Sequence, residues 1–203
     1  MTLSDVVDGY PRLPLEPGAT LLPKELHGVP YLFVDEGLVV LRTVVPDSIR
    51  RTITCHAGPG ALILPPNPDE VLVALTHARL VPLSAEICDE LLELPEAAGL
   101  LLQGLAESLR QKHAALAGMA RLHHVDRVRQ KLIQLARDHG RVGRDGIRLD
   151  FPLTHDLLSE MTGSARETVT RALHELQREG FVVRHGRTYS VHVAPEDLGL
   201  TPV

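Results

Sequence analysis

The chain has 203 residues, 44% of them hydrophobic, with 21 Lys/Arg against 26 Asp/Glu and a net charge of −5. That apolar share excludes wholesale disorder, and the length can hold two modest domains or one large one. No apolar run approaches about 18 residues, so no membrane span is expected, and two cysteines are too few for a disulfide framework or a four-thiolate site.

Residues 1–12 read as a short acidic leader, part of it helical. It lacks the basic n-region of a signal peptide, so a cytoplasmic location is expected. From Leu13 the texture changes to short apolar runs. They include 19–22, 31–34, 38–45, 49–55, 61–64, 70–75 and 78–83, and the breaks between them fall at Pro17-Gly18, Gly28, Glu36-Gly37, Pro46-Asp47, Gly58-Pro59-Gly60 and Pro65 to Pro68. Short strands spaced by turn signals predict a β-barrel or sandwich. Cys55 and Cys88 are expected as buried thiols acting as small hydrophobes. His27, His56 and His77 are scattered, with no His-x-His pair among them, so no metal site is expected.

Residues 84–94 predict a helix capped by Ser84, and Pro95 breaks it or starts the next one. From Glu96 to about His124 a stripe of Leu101, Leu105, Leu109, Leu116 and Met119 approximates a heptad seam. Ala98, Ala106, Ala114, Ala117 and Ala120 allow a partner helix to approach closely. A stripe lasting some seven turns predicts a two-chain coiled coil; packing on the chain's own barrel is the alternative. Asp126 is expected to cap a helix over 127–139. Residues 140–146 read as an exposed polar turn, and 147–151 as a short strand able to join a later sheet.

The densest information lies in residues 154–178. Leu157, Leu158 and Met161 lie on one face of a short helix, Thr154 suits its N-cap, and Gly163 permits a sharp reversal. Val169, Ala172, Leu173 and Leu176 form the buried stripe of a longer helix. Its other face carries Arg166, Glu167, Thr170, Arg171 and His174. Arg can be bidentate to guanine and a carboxylate can accept from cytosine, so this face suits base edges in a major groove. A local alternative exists: Glu167 could pair with Arg171 at i+4, or complete an S-x-x-E capping box with Ser164. Gly180 is placed to end the helix. Residues 181–184 and 187–193 read as two strands around His185-Gly186, tucking in Phe181, Val183 and Tyr189 or Val191. They aim Arg184, His185 and Arg187 towards a phosphate backbone.

The run Leu153-Thr154, Gly163, Arg166-Glu167-Thr168-Val169, Arg171, Leu173, Leu176, Gly180 resembles the DNA-binding signature of the CRP/FNR family, the cyclic-AMP receptor protein type of transcription regulator. The resemblance implies that Arg166, Glu167 and Arg171 read bases of a G-T-G-A-like half-site, and that Thr154 and Thr168 touch phosphate. His155, Ser164, Thr170, Arg184 and Arg187 complete the candidate phosphate contacts. Ala165 stands where the family usually has Ser, so one phosphate contact or cap is lost or moved to Ser164. His155 stands where a longer polar or basic residue is common. The strand punctuation of the first half is similar to the family's double-stranded β-helix, and the heptad seam falls where the family places its dimer helix.

The same resemblance makes one absence informative. Cyclic-nucleotide-binding members carry a Gly-Glu pair followed by an Arg and a small residue. The matching stretch here, Gly60 to Leu75, has neither, and the nearby Arg79 is followed by Leu80. A buried cyclic phosphate without its charge partner costs several kcal/mol, so no cyclic nucleotide is expected. Iron–sulfur chemistry needs about four thiolates, and no cofactor is expected.

Charge fits in part. Residues 121–203 hold 13 Lys/Arg against 11 Asp/Glu, leaving the first 120 acidic. A winged helix needs a local positive face rather than a basic whole. The expectation is therefore an α+β chain. Residues 1–95 form a cupin-like jelly roll (a double-stranded β-helix sensor), 96–124 a dimerisation helix, and 125–203 a winged helix-turn-helix. The expected partners are double-stranded DNA, a second copy and, for an activator, RNA polymerase. The alternative is a cupin-like metal-dependent enzyme or metabolite-binding protein whose C-terminal module contacts protein.

Overall fold

The computed structural model describes residues 2–44, 51–119, 123–143, 146–193 and 198. They fall into two compact units, Met1–Ala115 and Leu116–Val203.

In the first unit, a one-turn helix α1 (Leu3–Val6) is closed by a capping box in which Thr2 and Asp5 exchange bonds. Eight strands follow: β1 (Leu13–Leu15), β2 (Thr20–Leu21), β3 (Tyr31–Glu36), β4 (Val39–Thr43), β5 (Ile53–Ala57), β6 (Leu62–Ile63), β7 (Glu70–Ala74) and β8 (Ala78–Leu83). They form two antiparallel sheets of four, ordered β1-β8-β3-β6 and β2-β7-β4-β5. One core lies between the sheets, where Leu32, Val34 and Leu80 from the first meet Val39, Leu41 and Leu72 from the second. The first sheet is apolar on both faces. Phe33, Leu62, Val81 and Leu83 of its outer face pack with Leu3, Cys88, Leu91, Ala97 and Leu101. This explains why β3 reads as a continuous apolar run rather than an alternating one.

Strand β1 is an edge strand, which is where Pro14 can sit without costing the sheet a hydrogen bond. A β-bulge between Val34 and Glu36 sets Asp35 apart. Its carboxylate accepts from Arg12 Nε at 2.9 Å and lies 3.5 Å from Arg79 Nε. Both cysteines are buried thiols, as expected, and burial pushes the Cys88 thiol pKa upward.

Helix α2 (Ala85–Leu92) begins at Ser84, whose hydroxyl accepts from the Ile87 N–H. Helix α3 runs Pro95–Met119. The expected seam divides along it. Leu101 is 5% exposed and Leu105 packs into the same cluster, so both serve the protomer's own core. Gly104 lies close to Leu62; a Cβ there would stand 3.0 Å from the Leu62 Cβ. Leu102 and Leu109, 68% and 55% exposed, face away from that core. The side chains of Leu116 and Met119 lie outside the described residues.

In the second unit, α4 (His124–His139) starts three residues earlier than expected. His123 holds the N-cap position, and Asp126 sits in the first turn, where its charge suits the helix dipole. Strands β9 (Arg141–Gly143) and β10 (Gly146–Leu149) follow, then helices α5 (His155–Thr162) and α6 (Arg166–Arg178), then strands β11 (Val182–His185) and β12 (Thr188–Val191). The sheet order is β11-β12-β10-β9, so β10 joins the wing as expected. Helix α4 packs on both α5 and α6, and its Val128, Leu132, Leu135 and Ala136 are buried.

Candidate nucleic-acid interface

The α5–turn–α6 pair is built as its sequence requires. Thr154 Oγ1 accepts from the Leu157 N–H at 3.1 Å, satisfying one free donor of α5. Gly163 closes that helix at φ 62°, a left-handed conformation that costs glycine nothing. Leu157, Leu158 and Met161 of α5, and Val169, Ala172, Leu173 and Leu176 of α6, are buried. The opposite face of α6 leaves Arg166, Glu167, Arg171 and His174 exposed, with Thr168 and Thr170 half-buried. Glu167 and Arg171 form no ion pair with each other among the described residues. Arg166 Nε instead lies 3.4 Å from Asp156 Oδ1, an exposed contact between α6 and α5.

At its other end α6 is pinned. The Phe181 N–H bonds to Leu176 O at 3.0 Å and the Gly180 N–H to Gln177 O at 3.1 Å. This is a Schellman closure, with Gly180 at φ 73°. Arg129 of α4 stacks its guanidinium 4.6 Å from the centre of the Phe181 ring and also pairs with Glu179.

One alternative and one expectation are corrected here. No capping box forms between Ser164 and Glu167. Helix α6 starts at Arg166 with Ala165 in the N-cap position and no side-chain cap. One residue too early to cap, Ser164 is only 8% exposed, and its Oγ lies 3.5 Å from His124 Nδ1 of α4. In the wing, Val182 faces the core and Val183 is exposed. The Schellman turn uses Phe181 as its closing residue, so the strand alternation begins one position later than the sequence pattern suggests.

Arg184 and Arg187 flank the hairpin tip and are exposed. The tip is tightened by Arg184 Nε donating to Gly186 O at 2.8 Å. Leu153 N–H bonds to Arg187 O at 2.9 Å, tying the entry to α5 to the wing. Thr154, His155, Arg166, Arg184 and Arg187, with Asp156, line a notch of about 300 Å³ at the α5 N-terminus. Three guanidiniums beside the start of a helix favour an anion in this notch, with one carboxylate at its edge.

The sequence pattern puts His155 among the groups that touch phosphate, but its ring is half-buried and partnered on both sides. Nδ1 is 2.8 Å from Thr170 Oγ1, and Nε2 is 3.4 Å from the hydroxyl of Tyr189, which is itself buried. Thr170 Oγ1 in turn donates to Arg166 O at 3.0 Å. Burial, and then the positive charges of Arg184 and Arg166, hold the His155 pKa below its ordinary value, against the opposite pull of Asp156.

A helix-turn-helix carrying a polar outer face and followed by a two-stranded wing is the architecture of a DNA-binding module. Residues 126–198 match the family described as the Crp-like helix-turn-helix domain. A global nitrogen regulator of Synechococcus elongatus is 33% identical over 120 residues, covering 59% of this chain and 54% of the relative. The chain thus spans about half the length of the curated relatives it matches. A CRP-like cAMP-activated global transcriptional regulator of Mycobacterium tuberculosis is 25% identical over 178 residues, 84% of this chain and 79% of the relative. Among solved structures, a CRP-family transcriptional regulator of Thermus thermophilus superposes with a TM-score of 0.73 at 23% identity, covering 92% of this chain and 94% of that one. A cyclic nucleotide-binding domain containing protein of Listeria monocytogenes superposes with a TM-score of 0.78 at 16% identity, covering 93% and 95%. The homologues are transcription regulators, which are not enzymes, and they lend the cupin-like enzyme reading no support. Among the described residues no helix is long and apolar enough to cross a membrane.

Proposed function

We propose that the chain is a sequence-specific DNA-binding transcription regulator that acts as a homodimer on a palindrome of G-T-G-A-like half-sites, without need of cyclic AMP. The observation that carries this is the exposed face of α6, with Arg166, Glu167 and Arg171 turned away from a fully apolar opposite stripe. Arg166 and Arg171 read guanines and Glu167 reads a cytosine; Thr154, Thr168, Arg184 and Arg187 position the module on phosphates.

The domain reading is 1–95 for the sensor, 96–124 for the dimer helix and 125–203 for the DNA-binding part. The strand orders β1-β8-β3-β6 and β2-β7-β4-β5 support a double-stranded β-helix, because they are those of two interleaved Greek keys. The exposed Leu102 and Leu109 support α3 as the dimer seam. A dimer holding two recognition helices about 34 Å apart meets successive major grooves.

Independence from cyclic AMP draws support from where the charges of the first unit go. Arg79 Nε lies 2.9 Å from Glu36 and 3.5 Å from Asp35, so a nucleotide phosphate would have to compete with two carboxylates for it. Glu70 accepts from Thr54 Oγ1 at 2.6 Å and from the Asn67 side chain at 2.9 Å, so it clasps its own turn.

Selection of bound sequences from a random DNA pool, with and without cyclic AMP, tests the whole reading. A palindromic G-T-G-A-like consensus recovered equally in both arms is expected. Recovery of no consensus would remove the proposal, and recovery only with cyclic AMP would remove its effector clause.

A further inference from the structure

We infer that His155 is a positioning residue, a neutral imidazole bracket joining the buried Tyr189 of the wing to the first turn of α6, and not a cationic contact to phosphate. The bracket is a property of the free protein. Its consequence for recognition rests on the DNA-binding reading above.

Counting protons decides between the two neutral forms of the ring. Three contacts connect four groups: Tyr189 hydroxyl to His155 Nε2, His155 Nδ1 to Thr170 Oγ1, and Thr170 Oγ1 to Arg166 O. The carbonyl of Arg166 can only accept, so Thr170 must donate to it. Thr170 then accepts from His155, which places the proton on Nδ1. Nε2 is left with its lone pair, which accepts from the buried Tyr189 hydroxyl. Each contact thereby has one donor and one acceptor. With the proton on Nε2 instead, Tyr189 loses that acceptor, and Thr170 would have to serve two acceptors with a single hydrogen.

The charges around the ring favour the same neutral form. Arg166 of α6 and Arg184 of β11 line the same notch as the ring, so a second proton would meet two guanidiniums, while Asp156 on its own helix pulls the other way. What the bracket fixes is the carbonyl of Arg166, hence the start of the recognition helix and the root of a base-reading side chain. It also links the wing to that helix, so the two cannot shift independently. The exposed Arg184 and Arg187, rather than His155, are left to supply charge at the notch.

The test joins a spectroscopic and a binding measurement on the full chain. In ¹⁵N-histidine NMR at pH 7, the His155 signal, identified by its loss in His155→Asn, is expected in the neutral Nδ1-protonated form. It should stay neutral when a duplex carrying the selected consensus is added. Tyr189→Phe and Thr170→Val are each expected to weaken specific binding roughly two- to tenfold, the range for one lost hydrogen bond, with the salt dependence unchanged. His155→Arg, although it adds a charge, should weaken binding too. His155→Asn keeps an N–H near the place of Nδ1–H and should bind better than His155→Ala. An imidazolium in the complex, an Nε2-protonated ring in the free protein, wild-type affinity in His155→Arg, or a salt slope lowered by about 0.9 in His155→Ala would each overturn the bracket. Failure of the wild-type chain to bind any pooled duplex overturns the DNA-binding reading instead, and the ring's protonation in the free protein still decides the bracket.

Discussion

Arg166 lies between two claims on its guanidinium. Its pair with Asp156 is exposed on both sides, and such pairs contribute about 0–1 kcal/mol. A guanine edge offering two acceptors can therefore outcompete it. Arg166→Ala and Arg171→Ala should each cost about 1–3 kcal/mol of specific binding and relax one base position, read from titrations against operators with single base changes. Equal losses on every sequence would reduce them to phosphate contacts. Thr154→Ala removes the α5 cap and should lower unfolding free energy by about 1 kcal/mol, measured by urea denaturation.

His155 adds a pH effect of definite sign. Its folded pKa is depressed, so the unfolded chain binds its proton more readily. Its contribution to stability is complete above the unfolded value of about 6.5 and is lost as pH falls through the folded pKa. Wild-type stability should therefore drop more steeply than that of His155→Asn below about pH 6.5. At this scale Thr154 and Gly163 were legible in the sequence because a cap and a left-handed turn are local demands. Ser164 was not: whether it caps α6 or points inward depends on a one-residue offset in where the helix starts.

At the scale of elements, α3 does two jobs along one length. Leu101→Ala should destabilise the fold by about 2–5 kcal/mol, as for other buried leucines. Leu109→Asp should leave the melting behaviour of the first unit largely intact and shift the chain towards monomer in sedimentation. A chain that stays dimeric in Leu109→Asp would move the interface elsewhere. The heptad pattern located these residues, but periodicity records only that a position is apolar. It does not say whether a sheet of the same chain or a second helix covers it, so Leu101 and Leu105 could not be told from Leu109. Strands β1 and β9 were missed for a related reason. Three residues carry no period, and each is a strand only because β8 or β10 lies alongside. The runs of β3, β4, β7 and β8 were readable because each holds at least three consecutive residues that are mostly buried and apolar, as in Leu32-Phe33-Val34 and Val39-Val40-Leu41.

For the whole molecule, the distribution of charge matters more than its sum. The chain carries −5 overall, yet Arg166, Arg184 and Arg187 gather at one notch. Binding should therefore be strongly salt-dependent at the operator, while affinity for unrelated DNA stays low. Millimolar cyclic AMP should leave the thermal midpoint unmoved, since a ligand present at about 100 times its Kd would stabilise the native state by about 2.7 kcal/mol. A clear upward shift would show that the nucleotide binds.

Helix α6 is fastened at its first turn through Thr170 and at its last through Phe181, Glu179 and Arg129. A reading head clamped at both ends has little freedom to roll towards an imperfect site. On the DNA-binding reading, whatever misfit exists must be absorbed by the duplex, so the ease of bending of the base steps between half-sites should grade operators that are identical at every contacted base.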